Sequence, residues 1–367
     1  MKREIVYIST GTPFLKKAHA IQTLFTCKNL SSFFNVVLLY PLTISTLLKM
    51  RSLKKLYRKN NVKLILLPTT SFGVLFRNKF LFLIDRLIFS FMTFMFVSIK
   101  SSDKIITRDN ITAWLLSKFK KIILELHDLE FVLDKNSVTK HFEKVAILRS
   151  YAVVTRTLFM EGCVKNFNKN VYFIPNGFEN SLFRVMKTPK EKNKILIVYS
   201  GFSLREDMGI DVLIKSLDFL NLENAEILII GGDKKIKLKG VNFIGSVEIK
   251  KVPYYLNMAD VLVLPYKKSE FTEYFTSPLK LFEYMAVKKP IVATKVGCFN
   301  GILKDGYNCI LVEPGNPKSL AEGIKRVIGN KRLAEKIAKN AYGNSKKYTY
   351  KNRAKKIKGI IEDLSQR

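Results

Sequence analysis

Cysteine is scarce, with four residues in a chain of 367. Cys27, Cys163, Cys298 and Cys309 are too scattered for a disulfide framework, and no Cys-x-x-Cys pair or Cys/His cluster is present to hold zinc. Such usage points to a reducing, cytoplasmic compartment. Acidic residues are also few: 30 Asp and Glu against 63 Lys and Arg leave a formal charge of +33, so much of the surface faces an anionic partner or tolerates self-repulsion. Internal repeats and low-complexity tracts are missing. Hydrophobic residues at 47% and charged residues at 25% exclude a disordered or collagen-like chain. The opening MKREIVYIST has only a short apolar run after three charges and reads as a first strand, not a signal peptide.

What is present is an alternation. Short β-branched runs (5–9, 36–40, 63–68, 104–108, 121–126, 152–156, 171–175) are separated by amphipathic segments such as 18–33. A second series (195–200, 226–232, 261–266, 290–294, 309–314) follows, with helical patterns at 208–220 and 277–288. Near-continuous apolar strands between helices predict parallel sheets covered on both faces, with ligands at the strand carboxyl ends. The alternation resets once, across the polar stretch 176–193. Two Rossmann-like domains follow from that reset, as the length also suggests.

Charge is uneven. Residues 1–100 hold 16 Lys and Arg but only two acids, Glu4 and Asp85. Arg51, Lys54, Lys55, Arg58 and Lys59 recur at helical spacing on one face, with Leu53, Leu56 and Tyr57 between them. That face is either solvated or docks on anionic phospholipid; no nucleic-acid-binding motif accompanies it. The stretch Phe80–Ile99 has bilayer length, but Asp85 and Arg86 lie inside it. A buried or membrane-grazing helix of an α/β domain is expected there.

Chemistry concentrates in SPLKLFEYMAVKKPIVAT (277–294). Ser277 can cap a helix with Pro278 at its first position. Lys280 and Glu283 then share a face one turn in. Free N–H groups and the positive helix end suit phosphate, Lys280 adds charge, and a carboxylate one turn on can accept from ribose hydroxyls. On spacing alone, Glu283 is equally well an ordinary surface residue.

The segment resembles the donor-binding motif of family-4 retaining glycosyltransferases of the GT-B fold, the group 1 glycosyltransferases. VPYYLNMADVLVLPY (252–266), ELHD (125–128), YFIPNGFE (172–179) and AHAIQTL (18–24) resemble further landmarks of that family in the same order. The resemblance implies an α/β GT-B fold: two Rossmann-like domains whose parallel sheets face each other across a cleft. The domains would span 1–182 and 183–349, with a helix at 350–367 rejoining the first. It places Glu283 on the nucleotide ribose, and Gly201, Ser277, Pro278, Leu279 and Lys280 around the donor. Gly11 would let backbone approach the donor phosphates. His127 would contact the donor sugar and reacting region; the alternative for it is a satisfied buried histidine. His19 would lie on the acceptor side. Asn176–Gly177 reads as a structural turn needing positive φ.

The implied activity is retaining, hexosyltransferase-type transfer from a nucleotide-diphosphate sugar to a membrane-associated glycan or lipid-linked acceptor, in surface polysaccharide or glycolipid synthesis. The donor is a substrate, and no further cofactor is expected. The chain would sit on the inner face of the cell membrane. No Asp-x-Asp occurs, and Asp128-x-Glu130 is its nearest approximation, so transfer is expected to be metal-independent. Three positions depart from the family. Phe275 stands where a first glutamate is usual, with Glu270 and Glu273 nearby out of register, and Phe202 and Met208 replace a basic pair. Arg205 is the replacement candidate for holding the diphosphate. These departures support an alternative: a GT-B-like protein without catalysis that binds an active transferase.

Overall fold

The computed structural model describes residues 2–11, 13–14, 18–70, 72, 76, 78–100, 103–133, 139–189, 194–201, 205–220, 222, 224–232 and 238–366. Phe202 lies outside them. The chain divides into two compact units, Met1–Pro175 with Tyr350–Arg367, and Asn176–Thr349.

The first unit holds strands β1 (Glu4–Ile8), β2 (Asn35–Leu42), β3 (Val62–Pro68), β4 (Ile105–Thr107), β5 (Ile122–Glu125), β6 (Ala152–Thr155) and β7 (Val171–Phe173). They form one parallel sheet in the order β3-β2-β1-β4-β5-β6-β7. The second unit holds β8 (Ile195–Ser200), β9 (Ala225–Ile230), β10 (Val241–Gly245), β11 (Val261–Leu264), β12 (Ile291–Thr294) and β13 (Ile310–Val312), in the order β10-β9-β8-β11-β12-β13. Each order reverses direction once, between β1 and β4 and between β8 and β11. Those reversals open a crevice at the strand carboxyl ends, where doubly wound sheets bind ligands. Both sheets are apolar on both faces: Ile5–Ile8, Val36–Tyr40 and Ile197–Tyr199 are fully buried, because helices cover each side. Sequence reading missed β10. It is a half-exposed edge strand of five residues whose apolar pattern is too weak to stand out.

The division falls at Pro175, seven residues before the expected boundary at 182. The cause is local. The Asn176 amide group donates to the Ser277 carbonyl at 2.6 Å, and Phe178 and Phe183 enter the second core. Gly177 does not have positive φ, which corrects the expected turn. It is glycine because a Cβ there would collide with the Tyr348 carbonyl, which accepts the Phe178 N–H at 3.0 Å. The helix Tyr350–Gln366 packs into the first unit through Ala354, Ile357, Ile360, Ile361 and Leu364, an apolar stripe at helical spacing.

The apolar stretch forms the helix Lys79–Ile99 of the first unit. Its inner face is stitched down by polar contacts: Asp85 accepts from the Phe72 N–H (3.1 Å) and the Thr70 hydroxyl, Arg86 pairs with Asp109 (2.5 Å), and Ser90 bonds Thr112 (2.8 Å). A span across a bilayer would break all of these. Its outer face leaves Phe80, Leu87, Phe91, Met95 and Ile99 exposed.

Candidate functional site

In the second unit, the helix Leu279–Ala286 begins directly after Pro278, which is its N-cap, and no side chain caps it. Ser277 therefore does not cap as expected. Its hydroxyl accepts the Asn176 N–H at 3.1 Å. The first-turn N–H groups of the helix keep their positive end uncovered by any capping side chain, with Leu279 half-buried at the first position.

One turn in, the Lys280 ammonium donates to the Tyr199 hydroxyl at 2.7 Å and lies 4.2 Å from the Tyr199 ring centre and 5.4 Å from that of Tyr266. Tyr199 is in β8 and Tyr266 follows β11, so the cation sits over the crevice where the strand order reverses. Burial brings Lys280 down to about 7, partly offset by the Glu283 charge. Glu283 is half-buried, not exposed as its surface reading would have it, and burial pushes its carboxyl up to about 7 against the pull of Lys280. The two shifts share one cause, desolvation by burial, which each group's charge opposes in the other. The neighbouring Tyr284 hydroxyl accepts the Ser200 N–H at 2.7 Å, tying the end of β8 to this helix. Gly201 follows, and a Cβ there would stand 2.5 Å from Lys280 Nζ. Glycine is what lets the cation lie against the strand end.

The departures take clear places. Phe275 is a core side chain, and Met208 is buried. Gly209, beside it, has φ +68° and packs its backbone against the Pro265 carbonyl, where a Cβ would collide. Glu273 Oε2 accepts the Gly297 N–H at 3.1 Å. Arg205 does not reach the Lys280–Glu283 pair. Its guanidinium is held by Asp207 at 2.6 Å and stacks 4.3 Å over the Phe271 ring.

In the first unit, His127 lies two residues past the end of β5, in a buried polar cluster. Glu125 Oε1 accepts from His127 Nε2 (2.9 Å) and Gln22 (2.8 Å); Oε2 accepts from Tyr7 (3.1 Å) and Arg353 (2.8 Å). Burial opposes the Glu125 charge, but Arg353, His127 and Arg108 together hold its carboxyl well below the usual range. His127 Nδ1 faces Arg108 at 3.0 Å and Arg156 at 3.1 Å. Guanidinium groups only donate, so Nδ1 is the acceptor and Nε2 carries the hydrogen. Burial and the Arg108 charge hold the imidazole well below its ordinary value, so the ring is neutral. Both ring nitrogens are engaged within the unit. This geometry fits the satisfied-histidine alternative, with the ring positioning its neighbours.

Gly11 packs against His19, whose ring a Cβ would meet at 2.6 Å, so the loop's glycine serves that close approach; the His19 carbonyl accepts from Arg108 at 3.3 Å. Glu130 pairs with Arg86 at 3.8 Å, and Asp128 is exposed. Arg51, Lys54, Lys55, Arg58 and Lys59 are all exposed on the helix Met50–Lys59, whose Leu53 and Tyr57 are buried. Sequence reasoning missed Tyr199, Tyr266, Arg108 and Arg156. The arginines had left a signal, since each directly follows an apolar strand (IITR, VVTR) and so stands at a ligand-facing edge.

Residues 194–330 match the family described as "Glycosyl transferases group 1". The matched segment lies within the second unit and contains the Lys280–Glu283 site. The chain is 27% identical over 259 residues to "Uncharacterized glycosyltransferase MJ1178" of Methanocaldococcus jannaschii, covering 66% of this chain and 68% of that one. It is 26% identical over 231 residues to "Putative teichuronic acid biosynthesis glycosyltransferase TuaH" of Bacillus subtilis, covering 59% and 54%. Among solved structures, sucrose-phosphate synthase from Thermosynechococcus elongatus superposes with a TM-score of 0.76 over the full length of both chains at 16% identity. That likeness concerns the fold, which is GT-B.

Proposed function

We propose that the protein transfers a hexosyl group, with retention, from a nucleotide-diphosphate sugar to a membrane-associated glycan or lipid-linked acceptor in surface-polysaccharide or glycolipid synthesis. The Lys280–Glu283 pair on an uncapped helix start carries the proposal. The helix N–H groups and Lys280 take the diphosphate and stabilise the charge that develops on it as the sugar leaves. Glu283 accepts from the ribose hydroxyls. The group 1 domain match and the likeness to a putative teichuronic acid glycosyltransferase support the reaction class.

The membrane side rests on the first unit. Strand ends Leu42 and Pro68 are paired neighbours, so the segments that follow them emerge at one corner of the sheet. There Leu48 is 80% exposed, Phe76 64% and Phe80 69%, with Ile44, Leu47 and Phe72 also exposed. The basic helix Met50–Lys59 starts beside them. Apolar side chains flanked by unneutralised cations fit an anionic bilayer, the apolar groups entering and the cations meeting headgroups. These features support a peripheral position on the cytoplasmic face of the membrane.

The deciding experiment is release of nucleoside diphosphate from a panel of sugar donors, with and without a lipid-linked acceptor. Acceptor-dependent release supports transfer. Binding of a nucleoside diphosphate with no turnover on any acceptor would favour the non-catalytic partner, for which the satisfied His127 and the core position of Phe275 speak.

A further inference from the structure

We propose that the carboxyl edge of the first sheet is an anion site, formed by Arg108 and Arg156 across His127, which takes a phosphate group of the acceptor. The word "acceptor" rests on the glycosyl-transfer reading; the anion site itself does not.

The argument is a matching of charges. Arg353 is spoken for by Glu125, at 2.8 Å, and by the carbonyls of Ile174 (2.6 Å) and Pro175 (2.9 Å). Arg86 is matched by Asp109. Glu125 is surrounded by Arg353, His127, Gln22 and Tyr7, with Arg108 Nε at 4.0 Å. Glu125 is thus the one carboxylate shared by Arg353 and Arg108, and among the described residues Arg156 has no ion pair. Arg108 and Arg156 both turn an Nη onto the single in-plane lone pair of His127 Nδ1, which cannot fully satisfy two guanidinium groups. Arg108 also reaches the Thr23 hydroxyl and the His19 carbonyl, but among the described residues Nε of Arg108 and Nε of Arg156, like that of Arg353, are buried without a hydrogen-bond partner. The Arg108 side chain is only 8% exposed. Asp128, exposed, acts on Arg156 through space and forms no ion pair with it among the described residues.

Two like charges converging on a neutral ring are costly for the fold and suited to a ligand. Their position agrees. Arg108 directly follows β4, Arg156 directly follows β6, and His127 stands beyond β5 between them, beside the point where the strand order reverses. A phosphate dianion brings charge to balance both guanidinium groups and tetrahedral oxygens for two forked donors, which a carboxylate matches less well. Glu125 holds the imidazole so that its lone pair, not a hydrogen, faces the arginines; His127 is a positioning residue for the pair.

The test uses the full chain with its nucleotide site already filled by whichever of UDP, GDP, ADP or CDP binds most tightly. Inorganic phosphate and glucuronate are then titrated calorimetrically into wild type, R108Q, R156Q and R156K. Wild type is expected to bind one equivalent of phosphate more tightly than glucuronate. R156Q and R108Q should weaken it at least about tenfold, the loss of one charge-assisted contact, and R156K less. Absence of phosphate binding by wild type overturns the proposal, which keeps it testable even if the glutamine variants fail to fold. So does phosphate binding unchanged in R156Q and R108Q, or tighter binding of glucuronate. Phosphate binding without sugar transfer would leave the anion site standing and count against the glycosyl-transfer reading only.

Discussion

Replacing Lys280 by Met separates a binding role from a structural one. The ammonium is desolvated over two tyrosine rings, and among the described residues its polar partner is the Tyr199 hydroxyl at 2.7 Å. Loss of that bond costs about 1 kcal/mol, while a methionine of similar length fills the same space and removes the burden of burying a charge. The two effects oppose each other, so the melting temperature at pH 7 should be unchanged or higher. Binding behaves otherwise. A charge-assisted contact to a phosphate oxygen is worth about 1.5–3 kcal/mol, so nucleoside diphosphate affinity should fall by about 10- to 150-fold. Protons give an independent readout. With Lys280 at about 7, most molecules hold it neutral at pH 8, and a bound diphosphate restores its charge. Calorimetry in buffers of different ionisation enthalpy should then show uptake of up to about one proton by wild type and none by K280M. Equal affinity in the two proteins, or a K280M chain that melts several degrees lower, would show that Lys280 serves packing and that the diphosphate is held elsewhere.

Donor affinity should peak near neutral pH, because Glu283, raised to about 7, loses its charge below that value and Lys280, lowered to about 7, loses its charge above it. Stability should run the opposite way: the raised carboxyl stabilises at low pH and loses this as pH climbs to 7, and the lowered ammonium regains stability above 7, so denaturant midpoints of wild type should rise on either side relative to a K280M/E283Q double variant. Arg353→Met removes the cation from a buried pair and leaves Glu125 undercompensated; unfolding free energy should drop by about 3–5 kcal/mol, and a drop below 1 would mean that Gln22, Tyr7 and His127 suffice. Changing Arg51, Lys54, Lys55, Arg58 and Lys59 to Gln should weaken binding to anionic vesicles by on the order of three decades at low salt, with donor hydrolysis unchanged; binding insensitive to salt and lipid charge would assign the attachment to the exposed phenylalanines alone. EDTA should leave turnover intact, since Glu130 is paired with Arg86; a loss restored by Mg²⁺ or Mn²⁺ would point back to Asp128 and Glu130.

The sequence by itself determined the strands, the single reset between two sheets and the motif around Lys280 and Glu283, because each is written in short-range spacing. Twelve apolar runs became strands, since a run buried on both faces has no other stable place in an α/β unit. Edge strand β10 escaped because half-exposure dilutes that signal. Tertiary structure alone decided what surrounds each charge. Residues 199, 266 and 280 are far apart in sequence, and only the strand order lays Lys280 over both tyrosines and buries it, which brings its pKa down to about 7. The same holds for His127, for which ELHD leaves both a donor-sugar contact and a satisfied buried histidine open, and whose Nδ1 is faced by Arg108 and Arg156 only because their strands lie on either side. A side chain's neighbours within the chain are fixed by local spacing, but its solvation and its partners across a sheet are fixed by which strands lie side by side, and the chemistry of a buried ionisable group depends on the latter.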